Sequence, residues 1–173
     1  SFENRTRIVR EIAQGIRDGA NPDFQIGLRI SPERFDMDLG EAKRFAEEMM
    51  TGGVIDYLDM SLWDCFKEPQ DEAYQGQPLI THFTGLQRGA CRLGVSGKIM
   101  SAAKAQACLD AGADFVLIGR GAMLHHDFPV RAMANADWQT VSYPVTRAHY
   151  AKERLGPAFI DYIASNWSNY IAD

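Results

Sequence analysis

The 173-residue sequence predicts an α/β fold built on parallel strands. Two observations carry that expectation. Short, nearly continuous apolar segments recur four times, and amphipathic segments with helical spacing separate them. The junctions hold the Gly, Pro, Asn and Asp residues that end helices and turn strands.

Arg5 to Arg17 is expected to be helical, because Ile8, Ile12 and Ile16 recur at four-residue spacing with Val9 and Ala13 beside them, the stripe of a helix packed on a core. Ser1 suits its N-cap and Glu3 its first turn. Asp18 to Pro22 stops it. Phe24 to Ile30, apolar except for Gln25 and Arg29, reads as a buried parallel strand ended by Ser31-Pro32. Gly40 to Met50 is the second helix and Val54 to Ser61 the second strand. The polar stretch from Trp63 to Gly76 is longer than most loops in compact domains, and such loops tend to carry function. Leu79 to Arg88 reads as a helix, Cys91 to Val95 as a third strand, Ser101 to Ala111 as a helix capped by Ser101, and Ala113 to Ile118 as a fourth strand. Asp127 to Ala136 and two tail helices broken at Gly156-Pro157 complete the chain, so residues 1–140 are expected to form the α/β domain and residues 141–173 a helical tail.

Composition bounds the function. With 46% hydrophobic and 24% charged residues, the chain is neither disordered nor fibrous. A net charge of −5 and a pI near 5.4 lack the basic footprint of a nucleic-acid binder. No apolar run approaches a membrane span, and Ser1 to Arg10 is not a signal peptide. Cys65, Cys91 and Cys108 are odd in number and widely spaced, which argues against a disulfide framework or a zinc or iron–sulfur quartet and fits a reducing, cytoplasmic setting.

Two architectures satisfy the alternation: a small doubly wound sheet, or part of a (β/α)₈ barrel, since a whole barrel needs roughly 250 residues. In both, ligands bind at the C-terminal ends of the strands. That rule selects Arg29-Ile30-Ser31, Met60-Ser61, Val95 to Lys98, and Gly119-Arg120-Gly121. The last two place glycine between a strand and a helical segment, where backbone amides can hold a phosphate and the Arg120 guanidinium can add a forked contact. Gly97 and Gly119 equally suit tight turns. Arg29 interrupts an apolar strand, and either a ligand or an ion pair with Asp59 on the adjacent strand would meet its charge. Asp56 and Asp59 sit at an odd offset, on opposite faces, and are no catalytic pair.

The remaining candidates favour bland roles. His125-His126 lack a third ligand at suitable spacing, so no metal site is expected. His82 and His149 are expected on helices as surface or packing residues. Cys65 is weighed as a reactive thiol, but no nearby Lys or His visibly activates it. Trp63, Phe66 and Tyr74 would flank a planar ligand or cover a core edge. Tyr150, Tyr162, Trp167 and Tyr170 suit packing or an interface.

The ordered set of motifs resembles one family. Ser1-Phe2-Glu3-Asn4-Arg5-Thr6-Arg7, then Gly27-Leu28-Arg29-Ile30-Ser31-Pro32, then Val95-Ser96-Gly97-Lys98-Ile99, Ala111-Gly112-Ala113-Asp114 and Ile118-Gly119-Arg120 are similar, in order and spacing, to the Old Yellow Enzyme family of FMN-dependent oxidoreductases. The resemblance implies strands five to eight of an FMN-containing (β/α)₈ barrel that reduces activated alkenes, such as enones, with NADH or NADPH. It implies that Arg29 faces the N1/O2 edge of the flavin, that Ser61 contacts the cofactor, and that Ser96, Gly97, Gly119 and Arg120 hold the FMN phosphate, with Ser96 in place of a common glycine. The family's substrate-anchoring pair and proton-donating tyrosine lie before the matched region, so no catalytic residue is assigned here and the segment alone is expected to be inactive. Two other readings stand beside it. One is a phosphate-binding barrel of the aldolase or isomerase kind, for which Lys98 is the one strand-end lysine. The other is a non-catalytic α/β module, a homo-oligomer through open strand edges.

Overall fold

The computed structural model describes residues 1–34 and 37–172. The Ser1 hydroxyl accepts the Asn4 amide at 3.3 Å and so caps α1 (Phe2–Gly19). Asp38 does the same for α2 (Leu39–Thr51) through the Glu41 amide at 2.8 Å. Between and after them run β1 (Gly27–Ile30), β2 (Tyr57–Ser61), a 3₁₀ turn at Glu72–Tyr74, α3 (Thr81–Thr84), β3 (Arg92–Ser96), α4 (Ala102–Asp110) and β4 (Phe115–Val116). The chain continues through α5 (Arg120–Leu124), α6 (Phe128–Ala134), α7 (Arg147–Lys152) and α8 (Pro157–Asn166).

These elements fall into two units. The first holds Ser1–Gly97 and Ala107–Leu117, and the second holds Lys98–Gln106 with the residues from Ile118 onward.

In the first unit the sheet order is β1-β2-β3-β4, every pair parallel. A doubly wound sheet reverses its strand order at a switch point. Here the order advances one way throughout, as in a barrel wall, so the doubly wound alternative is excluded. Register then sorts the side chains. Leu28, Leu58 and Leu93 share one row, and Ile30, Met60, Val95 and Val116 another. Leu58, Met60, Leu93 and Val95 are fully buried, as are Leu39, Ala46 and Met50 of α2 or nearly so. The alternate rows, Arg29-Asp59-Gly94-Phe115 and Ser61-Ser96, stand on the other face. There the Tyr57 and Phe115 rings meet edge to face at 5.9 Å, and a Cβ on Gly94 would collide with the Phe115 ring.

Three local expectations are corrected. Phe24 to Ile30 is not a buried strand throughout. Only Gly27–Ile30 pairs, Gly27 and Arg29 are exposed, and Phe24 is 55% exposed. The stripe on α1 does not face this core. Ile8, Ile12 and Ile16 are 63%, 56% and 43% exposed, while Phe2, Thr6 and Ala13 of the neighbouring face are buried. Periodicity identifies an apolar face and says nothing of what covers it. The helix expected over Leu79 to Arg88 shrinks to one turn. The Leu79 and Ile80 amides are drawn to the Lys67 and Cys65 carbonyls of the preceding loop at 2.8 and 3.0 Å, and Gly85 ends the turn.

The second unit has its own core of Leu124, Tyr150, Ile160 and Ile163. Thr146 caps α7, and Pro157 opens α8, so the tail breaks at Gly156-Pro157 as the sequence suggests. Among the described residues no helix is long and apolar enough to cross a membrane.

The burial pattern separates two isoleucine-sized deletions. Leu58→Ala should cost about 2–5 kcal/mol of unfolding free energy in urea. Ile12→Ala should stay within about 0.5 kcal/mol. An Ile12→Ala loss as large as that of Leu58→Ala would mean that the α1 stripe is covered in solution.

Candidate functional site

The site begins with strand register. Pairing β1 on β2 sets Arg29 opposite Asp59, and pairing β2 on β3 sets Ser61 opposite Ser96 at the C-terminal edge of the sheet. Arg29 Nη1 lies 3.1 Å from Asp59 Oδ2. Its Nη2 donates to Ser61 Oγ at 2.9 Å and points toward Ser96 Oγ at 3.5 Å. Two of the residues selected in sequence, Ser61 and Ser96, therefore converge on the guanidinium of a third, Arg29. The ion pair weighed for Arg29 is formed, yet it does not hide the arginine. The Arg29 side chain is 58% exposed and that of Asp59 only 6%.

Asp59 is the member that sequence reasoning treated only as a counter-ion. Its Oδ1 is buried with no hydrogen-bond partner among the described residues. Burial pushes its carboxyl above the ordinary range, and the Arg29 charge and the Ser96 hydroxyl hold it partly down. The sequence marks it as a charge in a strand and a partner for Arg29, but not as buried, because burial depends on which strand lies alongside. Asp56 sits at the opposite end of the same strand region. The Ile26 amide and the Arg17 guanidinium, each 2.7 Å from Oδ2, hold its carboxyl below the ordinary range. Its role is structural.

The two glycine turns differ. Gly97 has φ +157°, and a Cβ there would lie 2.9 Å from the Asp64 nitrogen. The loop after β2 crosses at this point, with the Leu62 amide on the Ser96 carbonyl at 2.8 Å and the Cys65 amide on the Gly97 carbonyl at 3.3 Å. Chain crossing alone therefore requires glycine at position 97. Gly119 has φ −93°, is exposed, and a Cβ there would meet nothing within 4 Å. Arg120 opens α5, and its Nη1 donates to the Tyr170 hydroxyl at 3.0 Å. Because α5 spans five residues, its dipole is weak. β3 and β4 end at the same edge of the sheet, where the Leu117 amide donates to the Val95 carbonyl at 2.9 Å.

A cavity of about 270 Å³ opens beside Ser61, lined by Ser31, Glu33, Arg34, Trp63 and Lys67 among others. The Glu33 carboxylate is held by Lys67 and by the Gln70 amide, which ties the loop after β1 to the loop after β2. Arg34 covers the Trp63 ring at 4.3 Å. Glu33 and Trp63 both have left-handed backbones, with φ of 61° and 63°, a conformation that costs free energy and persists only where surroundings enforce it. Tyr74 packs edge-on against His82 at 5.7 Å. Cys65 is fully buried, which removes it as a reactive surface thiol, and burial pushes the Cys91 thiol up to about 11.

The histidines mostly bind backbone. His82 Nε2 meets the Tyr74 carbonyl at 2.9 Å and His149 Nε2 the Leu124 carbonyl at 2.8 Å. His125, Asp127 and Glu153 bring ligand-type atoms within 4.8 Å of one another, a grouping that sequence spacing did not suggest. The tautomer speaks against a metal. The Val141 amide donates to His125 Nε2 at 3.1 Å, so the neutral ring carries its proton on Nδ1 and has no lone pair left to give. Burial lowers the His125 pKa and keeps the ring neutral. Glu153 Oε2 already accepts from the His126 amide and ring at 2.9 and 2.8 Å.

No family model matches the chain, and no curated protein does. Solved structures do. Morphinone reductase matches with a TM-score of 0.61 and 24% identity over 87% of this chain and 39% of that one. Its complex with tetrahydroNAD matches at 0.59 and 23%, over 87% and 38%. A variant of NCR from Zymomonas mobilis matches at 0.64 and 20%, over 88% and 49%. The chain thus spans less than half the length of each. These proteins are of the Old Yellow Enzyme family, the one that the sequence motifs resemble. What the likeness establishes is the fold, part of a (β/α)₈ barrel.

Asp59 makes a pH signature. Its carboxyl binds a proton more tightly folded than unfolded, so its ionisation penalises the fold above the raised pKa and the penalty is relieved as pH falls toward the ordinary 3.8. Asp59→Asn should therefore gain stability relative to wild type as pH rises through that window, read from urea midpoints. A relative stability that is flat or falls with pH would contradict the raised carboxyl.

Proposed function

We propose that this chain is the cofactor-holding part of an FMN-dependent NAD(P)H oxidoreductase of the Old Yellow Enzyme type, acting on activated C=C bonds. The observation that carries the reading is the convergence of Arg29, Ser61 and Ser96 at the C-terminal edge of parallel strands, where such folds bind ligands. The donor set fits the group. The N1/O2 edge of a flavin is rich in acceptors, and these three side chains offer an exposed guanidinium and two hydroxyls. FMN, when bound, supplies the hydride chemistry between nicotinamide and alkene.

The chain's own residues then have distinct tasks. Arg29 presents a fixed positive charge where negative charge develops, and Asp59 behind it holds the guanidinium in place. Ser61 and Ser96 fix its second nitrogen. Ser96, Gly97, Gly119 and Arg120 are assigned to the phosphate by the resemblance. Gly119 supports this, since nothing in its own surroundings fills the Cβ position. None of the groups gathered at the site is assigned as a proton donor, and the chain alone is proposed to be inactive. The three cysteines are buried and none is in a disulfide, which accords with the proposed reducing, cytoplasmic setting.

Titrating ¹⁵N-labelled chain with FMN to millimolar concentration should shift the amides of Arg29, Ser61, Ser96, Gly119 and Arg120 and leave those around Asp56 unmoved. Weak affinity is expected. Flavin copurifying at full stoichiometry would defeat the partial-site reading, and shifts confined to other regions would defeat the FMN reading. Arg29→Ala bares the buried Asp59 charge, so Arg29→Ala/Asp59→Asn is the cleaner variant and should abolish the shifts at Ser61 and Ser96.

The exposed Ile8, Ile12 and Ile16 favour a second reading, self-association of this chain through the α1 face and the open edge of β1. Light scattering over a dilution series should then show a dimer. A monomer at every concentration would remove it.

A further inference from the structure

We propose that the cavity between the loops after β1 and β2 is an oxyanion subsite, in which Arg34 holds the nicotinamide-side phosphate of the hydride-donating dinucleotide, an inference that rests on the oxidoreductase reading above. All the groups involved lie in the first unit. The cavity, of about 270 Å³, shares Ser61 with the cluster assigned to the flavin edge, where that hydroxyl accepts from Arg29 at 2.9 Å. Pockets that enclose a whole drug-sized ligand usually span about 300–1,000 Å³. This one suits a single group of a ligand whose reacting part lies next door. A coenzyme that delivers hydride to a flavin must lie against it, so the first phosphate of its tail falls beside the flavin's own contacts.

The charge balance of the walls selects an anion. Glu33 and Lys67 both line the cavity and pair with each other, and the Glu33 carboxylate, its side chain only 5% exposed, also accepts the Gln70 amide. That carboxylate is neutralised and does not leave the cavity acidic. Arg34 is different. Its guanidinium carbon stands 4.3 Å from the centre of the Trp63 ring, and its side chain makes no hydrogen bond or ion pair among the described residues. A cation over a ring face is held by the ring's quadrupole and spends no N–H donor. The exposed Arg34 therefore keeps its planar fork of donors for an acceptor, and the Ser31 and Ser61 hydroxyls belong to the same walls.

The lining is set before a ligand arrives. Glu33 and Trp63, one from each loop, hold left-handed backbones at φ 61° and 63°. Two links join the same pair of loops, the ion pair from Glu33 to Lys67 and the stacking of Arg34 on Trp63. The Leu79 amide on the Lys67 carbonyl, at 2.8 Å, anchors the second loop from its far side. Of the two links, only the second carries a charge that no partner cancels. An arginine already seated on an indole loses less freedom on meeting a phosphate than one in solvent, which is preorganisation. Because the nicotinamide-side phosphate is common to NADH and NADPH, this subsite does not discriminate between them.

Nicotinamide mononucleotide carries that phosphate and nicotinamide riboside lacks it, so the ratio of their dissociation constants isolates the contact. Both are titrated to millimolar concentration into ¹⁵N-labelled chain. Wild type should bind the mononucleotide at least roughly threefold tighter, with shifts at the Arg34 Nε–H, the Trp63 indole N–H and the Ser31 amide. Arg34→Gln should weaken the mononucleotide roughly three- to tenfold, change the riboside by less than about twofold, and bring the ratio near one. NAD⁺ and NADP⁺ should bind wild type alike. Arg34 is exposed, so Arg34→Gln should keep the wild-type urea midpoint. Its Arg29 and Ser96 amides should still shift with FMN, which separates loss of this subsite from loss of the flavin site. A wild-type chain with no preference for the mononucleotide, or an Arg34→Gln chain that keeps it, overturns the proposal and leaves the flavin reading standing. NADP⁺ binding much tighter than NAD⁺, with the excess lost in Arg34→Gln, overturns the assignment to the nicotinamide-side phosphate. A wild-type chain whose Arg29 and Ser96 amides ignore FMN overturns the oxidoreductase reading and this proposal with it.

Discussion

A carboxylate held 4% exposed beneath a mostly exposed arginine is the interaction on which the first unit's site depends. Asp59 cannot shed its charge into water, so a cation must stay beside it. Arg29 cannot swing freely, because that cation is its own guanidinium. The mutual constraint converts a long, rotamer-rich side chain into a fixed one. Its second nitrogen is then available to two hydroxyls that arrive from two other strands. None of this would assemble without parallel pairing in one register, since a slip by one residue would send Asp59 to the helix-covered face.

The same logic explains why the two glycine turns are unlike. At Gly97 the constraint is internal: the loop that follows β2 passes so close that any side chain would strike its backbone. That crossing also locks Ser96, whose carbonyl carries the Leu62 amide. At Gly119 no neighbouring atom makes such a demand. Two positions that look equivalent in sequence thus differ: the fold leaves no room for a Cβ at Gly97 and open space for one at Gly119.

Burial divides the helices in a comparable way. α2 turns its apolar residues onto β2 and they vanish from solvent. α1 buries Phe2, Thr6 and Ala13 and displays its regular isoleucines instead. A stripe is a property of one helix, whereas its cover is a property of what lies alongside, and in a barrel each helix packs against neighbours on both sides. The exposed alternate residues of β1 express the same fact for the sheet.

Local chemistry made the helix caps at Ser1, the tail break at Gly156-Pro157, the alternation of elements and the strand-end positions of Arg29, Ser61, Ser96 and Gly119 readable from sequence, because each depends on residues within a few positions of one another. The strand order, the union of Arg29 with Asp59 and of Arg120 with Tyr170, and the bare face of α1 were decided only by tertiary structure. Those are pairings between distant segments. Their partners are chosen by register and by the desolvation of charge, and neither quantity exists until the chain has folded.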